Sequence, residues 1–465
     1  MNDVPSSQST PTEPAFLARL NAGVPKRRRI TWQPSLEFTG RAIERYTLGN
    51  GLRVLVLVDD RAPVVSYNTW FRVGSRHERE GKTGLAHLFE HLMFNETRNL
   101  PAGRFDQLLE RAGAETNAAT WNDWTYYYEN VPADQLSLVV RLEAERMHNL
   151  VLREGPVASE KEVVANERRY RVEDDVEGTV SEVLWANAYQ THPYHHPTIG
   201  WMKDIEGFTP ADCRAFYRTW YAPNNATLVI VGDVKVPRLL ALLRQHYGDL
   251  KPAEIPQESL PVEPPQPAER RVELARPSAT DRVAIGYKCP GLAHPDHAAL
   301  SVLVEALTGG RSSRFYRELV TERELATDIS GWASTFRDPG LWELAATARS
   351  GVHAGALLDA VDACLDRLRR SPITADERER AVARVELSFL RGLETVGGRA
   401  ETIGFHDAVL DDPAGGTERL ERVRRVTVDD LAEVVERYVV DTQRTVVLVR
   451  STLAANVSAE NGAGA

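Results

Sequence analysis

Cysteine is scarce in this chain: among 465 residues there are three, Cys213, Cys289 and Cys364. They are scattered, odd in number and form no CxxC pair, which excludes a disulfide framework and a thiolate zinc site. Long apolar runs are also missing; none approaches the ~20 residues of a membrane-spanning helix. Positive charge is in deficit, with a formal net charge of −10, and this argues against nucleic acid as a partner. The basic run Lys26–Arg29 is the local exception, and such a short run in a polar segment is ordinarily solvated surface. Residues 1–30 lack the continuous apolar core of a secretory signal, and Asp3 and Glu13 make a poor transit peptide. The expectation is a cytoplasmic protein with a disordered tail over residues 1–40; a misassigned start would leave the periplasm open. With cysteine set aside, any metal must be held by His and carboxylates.

The length calls for two or three domains. From Glu44, IERYTLGNGLRVLVLVDD reads as two strands around the turn Gly49-Asn50-Gly51, a hairpin signal. A helix follows in TGLAHLFEHLMFN, where Leu85, Leu88, Phe89 and Leu92 fall at i, i+3, i+4 and i+7, a buried stripe. Thr83 is the expected N-cap. RFDQLLERAG is a second helix, ended by Gly113. The Pro- and Glu-rich segment 248–270 has no periodicity and reads as a linker. Beyond it strands and helices recur in a similar order. The expectation is therefore an α+β fold of two homologous domains, each a mostly antiparallel sheet packed with helices. Residues 41–247 form the first domain and 271–452 the second, with a small-residue tail over 453–465.

The informative segment is His87-Leu88-Phe89-Glu90-His91. On a helix, positions i and i+4 share a face one turn apart, so two imidazoles can reach one ion. Glu90, at i+3, shares that face and can reach a water held by that ion. This is the inverted form of the familiar zinc-helix motif. Two His and a carboxylate leave a fourth tetrahedral position open, as a catalytic zinc needs. The third ligand must come from elsewhere, and the helix ASEKEVVANERRY offers Glu160, Glu162 and Glu167. Glu160 and Glu167 are seven apart and share a face, so one can bind metal while the other supports it. A lone histidine is more often an ordinary core or surface residue, but the whole motif is harder to explain so.

VGSRHEREGKTGLAHLFEHLMFNET resembles the signature of the pitrilysin-type (inverzincin, M16) zinc peptidases almost throughout. The chain is most similar to the two-domain bacterial subunits related to the mitochondrial processing peptidase beta subunit. The resemblance runs over roughly residues 43–450. It implies Glu167 as the third ligand and Glu160 as its supporting glutamate. It also implies a substrate strand, since Gly113, Asn117, Ala118 and Thr120 match G-x-x-x-N-A-x-T and Tyr126-Tyr127-Tyr128 follows. YHHPTIGWMKDI, FYRTWYAPNNATLVIVGD and LTGGRSSRFYRELV match further along. Two departures stand out. Glu96 replaces a common glycine. Val320 and Thr327 stand where active relatives often carry an Arg and a Tyr that hold the substrate.

The resemblance thus implies a zinc metalloendopeptidase with one Zn²⁺ per chain, Glu90 as catalytic base, and His87, His91 and Glu167 as ligands. Peptides would bind in extended form along Asn117, Ala118, Ala119 and Thr120. Relatives enclose substrate between four such domains, so a two-domain chain should dimerise. The missing Arg and Tyr point to a heterodimer with a homologous partner that lacks HxxEH and supplies the clamp; a homodimer is the competing form. Two other readings are a non-catalytic subunit or scaffold, which would need none of the four metal-site residues, and a structural zinc, which would usually be closed by four protein ligands.

Overall fold

Runs of β-branched and aromatic residues become twelve strands in the computed structural model, which describes residues 13–453. In chain order these are β1 (Ile30–Phe38), β2 (Arg41–Leu48), β3 (Arg53–Val58), β4 (Val64–Phe71), β5 (Glu115–Thr120), β6 (Thr125–Pro132), β7 (Ala226–Gly232), β8 (Arg270–Arg276), β9 (Arg282–Cys289), β10 (Ala326–Ala333), β11 (Gly340–Ala348) and β12 (Arg444–Ser451). They form a seven-stranded sheet, β1-β2-β3-β7-β4-β6-β5, and a five-stranded sheet, β10-β11-β9-β12-β8. Helices pack on both, so the α+β class read from the sequence holds.

The internal repeat is legible in the wiring. From β3 the first sheet runs β3-β7-β4-β6-β5, and from β8 the second runs β8-β12-β9-β11-β10. In each, the first pair is parallel and the other three are antiparallel. The strands β5 and β10 are therefore counterparts, and each is a free sheet edge.

The tail expected over residues 1–40 is overturned for residues 13–40. β1 pairs with β2 from Ile30↔Leu48 to Phe38↔Arg41, and Leu17 on helix Ala15–Asn21 is fully buried. The signal was masked because β1 is an outer strand with a register shift between Gln33 and Leu36, around Pro34. Such a strand shows neither clean alternation nor an apolar run. Residues 1–12 and 454–465 lie outside the described part.

The two sequence halves are not two packing units. Helix Val176–Ala188, from the first half, lays Val180, Leu184 and Ala188 on Ala284, Leu341, Val447 and Val449 of the second sheet. Helix Val396–Leu410, from the second half, lays Ala400, Ile403 and Ala408 on Leu55, Leu57, Trp70, Val229 and Val231 of the first. Buried charge fixes the exchange. Asp407, with its side chain 1 % exposed, pairs with Arg53 and Arg72 and accepts from the Thr227 hydroxyl at 2.9 Å. Asp59 pairs with Arg399 at 2.7 Å. In the other direction, the Trp185 indole donates to Glu343 at 3.0 Å and the Tyr189 hydroxyl to the Pro339 carbonyl at 2.8 Å. An amphipathic period says that a helix has a buried face but not which sheet it faces. The boundaries drawn from linker composition alone, 41–247 and 271–452, therefore miss the exchange.

Residues 250–269 carry no helix or strand, yet they are tied down. The Glu263 carboxylate accepts from the backbone N–H groups of Gln190, Thr191 and His192. Glu258 joins Asp123 and Asp338 around the buried Arg76 guanidinium, at 3.0, 2.9 and 3.1 Å. One side chain thus gathers the β5–β6 turn, the linker and the β10–β11 turn.

At Gly404 the exchanged helix Val396–Leu410 approaches its sheet without room for a side chain. A Cβ there would meet the Trp70 indole nitrogen at 2.0 Å. Gly404→Ala should therefore cost about 1–3 kcal/mol by overpacking. A lowered denaturant midpoint with unchanged slope would carry that signature, whereas an unchanged midpoint would mean the helix does not pack so closely.

Candidate metal centre

The HxxEH segment is helix Leu85–Leu92. Leu85, Leu88, Phe89 and Leu92 are buried in the first core, as the stripe predicted. Thr83 does not cap it. Its hydroxyl donates instead to Asp204 at 2.7 Å, and Gly84 occupies the cap position with φ of 93°. Glycine is required there twice over: by the left-handed backbone, and because a Cβ would lie 2.4 Å from the Ile199 carbonyl oxygen. The cap is supplied from a distance by the buried Glu78 carboxylate, which accepts from the Gly84 N–H at 2.8 Å and the Ala86 N–H at 2.6 Å. A carboxylate at a helix N-terminus satisfies orphan donors and complements the helix dipole. On the far side, the Tyr127 hydroxyl donates to the Phe89 carbonyl at 3.0 Å. The motif helix is thus held at its start and at its waist.

Glu160 and Glu167 lie on helix Glu154–Arg168. Its last turn is locked by Arg168, which makes two bonds to Glu182, at 2.7 and 3.0 Å, and a third to the Gly200 carbonyl at 2.8 Å. Gly200 in turn lies against Thr83 and Gly84. The two helices are therefore braced through the same backbone loop.

His87, His91 and Glu167 bring one ligand atom each to within 4.8 Å of one another, the one such group found among the described residues. Glu167 Oε2 lies 3.6 Å from His87 Nε2 and 3.3 Å from His91 Nε2. Tetrahedral coordination at ~2.1 Å places ligand atoms ~3.4 Å apart, so these spacings suit zinc. Glu167 Oε2 is buried and has no hydrogen-bond partner, as an oxygen meant for a cation would be. Glu162, the remaining candidate, is not in this group. Glu160 sits one step out, with Oε2 3.6 Å from His91 Nδ1 and Oε1 accepting from the Asn95 amide at 2.9 Å. That is the position of a group that orients a ligand ring.

Electrostatics separate the two imidazoles. Burial pushes His87 down to about 4. Burial also acts to lower His91, but the carboxylates of Glu160 and Glu167 outweigh it and hold it up to about 9. Glu90 is raised, chiefly by burial, with the nearby Thr120 hydroxyl pulling the other way. A carboxylate raised above its ordinary value is the better base for taking and returning a proton.

Beside the cluster runs β5, the free edge of the seven-stranded sheet. Asn117, Ala118, Ala119 and Thr120 pair on one side with Tyr128, Tyr127, Tyr126 and Thr125 of β6. On the other side they meet no strand. The Asn117 side-chain oxygen accepts from the Ala118 N–H at 2.9 Å, a local cover for one edge donor. Sequence reasoning missed Glu78 and Arg168. SRHERE and ERRYR look like surface charge, and only the loop around Gly200 turns them inward.

Two family profiles match the chain. One described as Insulinase (Peptidase family M16) covers residues 53–201, and one described as Peptidase M16 inactive domain covers 207–385. The chain is 33% identical over 413 residues to the zinc protease PqqE of Helicobacter pylori, covering 88% of this chain and 92% of that protein. It is 26% identical over 414 residues to a probable mitochondrial-processing peptidase subunit beta of Schizosaccharomyces pombe, covering 86% and 89%. The crystal structure of a protease from Helicobacter pylori superposes with a TM-score of 0.83 at 32% identity, over 88% of this chain and 99% of that one.

Replacement of Glu160 by Gln should weaken zinc binding 10–100-fold, the usual cost of losing a group that orients a ligand. His87→Ala or Glu167→Ala should abolish stoichiometric binding. Chelator competition distinguishes the two grades of loss, and equal losses at Glu160 and Glu167 would make Glu160 a ligand in its own right.

Proposed function

Because the chain belongs to the M16 family of insulinase-type peptidases, we propose that it is a zinc metalloendopeptidase in which His87, His91 and Glu167 hold the ion and Glu90 is the general base. The observation that carries this reading is the placement of the three-residue cluster beside the unpaired edge of β5. A scaffold would have no use for both. The profile described as inactive matches residues 207–385, and the residues of the metal cluster lie in the other match, 53–201.

Bound zinc would polarise the scissile carbonyl and make water acidic enough to attack near neutral pH. The chain's own residues do the rest. An extended peptide adds to β5 through main-chain hydrogen bonds, after the Asn117 amide releases the Ala118 N–H. Main-chain pairing of this kind accepts many sequences. Glu90 accepts a proton from the attacking water and passes it to the leaving amine as the C–N bond breaks. Glu160 keeps His91 oriented throughout.

Glu90→Gln should retain zinc and lose ~10²–10⁴-fold in turnover, the contribution of a positioned general base. Near-normal hydrolysis by a zinc-loaded Glu90→Gln protein would remove Glu90 from this role.

Assembly is the second part of the proposal. Val320 packs against the second core and Thr327 donates to the Thr347 carbonyl at 3.3 Å. Neither offers the long donor of an Arg or the phenol of a Tyr. We infer that a homologous partner without HxxEH supplies such a clamp in a heterodimer. The isolated chain should then cleave peptides weakly, and addition of the partner should raise the rate on the order of 10²-fold, the cost of misplacing substrate by about 1 Å. Mass measurement alongside activity checks this; a fully active homodimer, indifferent to any homologous partner, would refute it.

A further inference from the structure

Immediately after the last residue of β5 the chain enters an aromatic hollow that the reaction does not use. Its volume is about 360 Å³, and Trp121, Trp185, Tyr194, Trp332, Phe336 and Glu343 line it. Phe336 is the centre of the wall. Its ring centroid lies 4.9 Å from Tyr194, 5.5 Å from Trp185, 5.9 Å from Trp332 and 6.4 Å from Trp121. The two indoles at the mouth are strongly exposed for their size, Trp121 at 44% and Trp332 at 40%. Large exposed aromatics around one concavity are the usual mark of a binding surface.

The hollow is built from both halves. Trp121 ends the β5 edge and Trp332 ends the β10 edge, while Trp185 stands on the exchanged helix. It is also close to the metal cluster. Val172, another lining residue, is five positions beyond Glu167 in one continuous helical run, roughly 7 Å along the axis. Ile199, also lining, touches Gly84 at the start of the motif helix. A strand advances about 3.3 Å per residue, so a peptide on β5 would bring a side chain to this mouth within a few residues of the bond at the metal.

We propose that this hollow is the subsite that gives the peptidase its sequence preference, and that it takes one aromatic side chain, Tyr or Trp, from the peptide laid along β5. The proposal rests on the peptidase reading for its substrate. The chemistry of the wall selects the occupant. Ring pairs in the wall are tilted or edge-on, and such a wall favours another ring between the mouth indoles. Glu182, at the rim, is taken up by its two bonds to Arg168. Glu343 uses one oxygen to accept from the Trp185 indole, and its other oxygen has no hydrogen-bond partner among the described residues. A Tyr hydroxyl or Trp N–H reaching in would donate to it. Burial pushes the Glu343 carboxyl up to about 7, so the floor is a weak attractor for a Lys or Arg and a good acceptor for a neutral donor.

The test compares Ala-based peptides in which a single Trp, Tyr, Leu or Arg is moved through the positions flanking the cleaved bond. Two readouts are taken on the full zinc-loaded chain: kcat/KM for the unaltered protein, and peptide affinity by fluorescence anisotropy for the Glu90→Gln protein. One position should favour Trp or Tyr over Ala by at least about tenfold in both, the scale of discrimination a side-chain pocket provides. In Trp332→Ala, which removes an exposed side chain and none of the metal-site residues, that ratio should fall toward one. Trp332→Phe should keep part of it. An affinity preference without cleavage would refute the peptidase reading and leave the pocket standing. No aromatic preference at any position, a preference for Arg, or an aromatic preference undiminished in Trp332→Ala would overturn the pocket.

Discussion

The exchange of covering helices is the constraint on which everything else depends. Each sheet has one face closed by its own half and part of the other closed by a helix from the opposite half. The buried carboxylate Asp407, 1 % exposed at the side chain, is compensated only across that exchange, by Arg53 and Arg72, and Asp59 adds Arg399 from the opposite half to Arg41 and Arg61 of its own. Leaving Asp407 unpaired in the interior would cost far more than a typical surface contact contributes. Neither half can therefore hold its native surface alone, and the β5 and β10 edges end against one another's turns. Arg76 completes the joint by drawing carboxylates from the β5–β6 turn, the linker and the β10–β11 turn onto one guanidinium.

Within that frame the metal cluster is preorganised by parts that never touch a metal. Two helices must present three side chains to within a few tenths of an ångström of tetrahedral spacing. Glu78 fixes where the first helix begins, Tyr127 fixes its depth, and Arg168 fixes the last turn of the second. Two of these anchors, Glu78 and Arg168, meet the loop around Ile199 and Gly200, through the Gly84 cap and directly. A tight backbone contact of this kind is stiffer than side-chain packing, because neither partner has a rotamer to yield.

Much of this was legible in the sequence, for identifiable reasons. HxxEH is a local pattern whose geometry follows from helix pitch, so His87, Glu90 and His91 needed no tertiary knowledge. The E-x6-E spacing put Glu160 and Glu167 on one face but did not say which was nearer the pair; their resemblance to a family motif did. The α+β class and the repeat were also readable, since strand order follows composition and turn signals. What escaped is non-local. β1 hid behind Pro34 and a register shift, and the helix exchange left no trace in periodicity. The N-cap reading failed at Thr83 because a buried acid, Asp204, competes for the same hydroxyl. The aromatic hollow was invisible because its tryptophans are distributed over 121, 185 and 332.

The repeat also shows why one half brings a metal-ligating cluster together and the other does not. Helix Asp296–Thr308 follows β9 as the motif helix follows β4. It too carries a histidine on a buried face, His297, but the residue one turn on is Ser301. His297 Nε2 bonds to the Ser334 carbonyl at 2.9 Å, and its Nδ1 faces Arg419 at 3.1 Å. Both ring nitrogens are thus committed to the fold, whereas in the motif helix the buried His87 Nδ1 has no partner and Nε2 faces Glu167. A ring whose nitrogens are both engaged by protein cannot ligate, however similar its helix. The free edge survives in both halves because it follows from strand order; the metal cluster survives in one because it depends on a second histidine and on what surrounds the first.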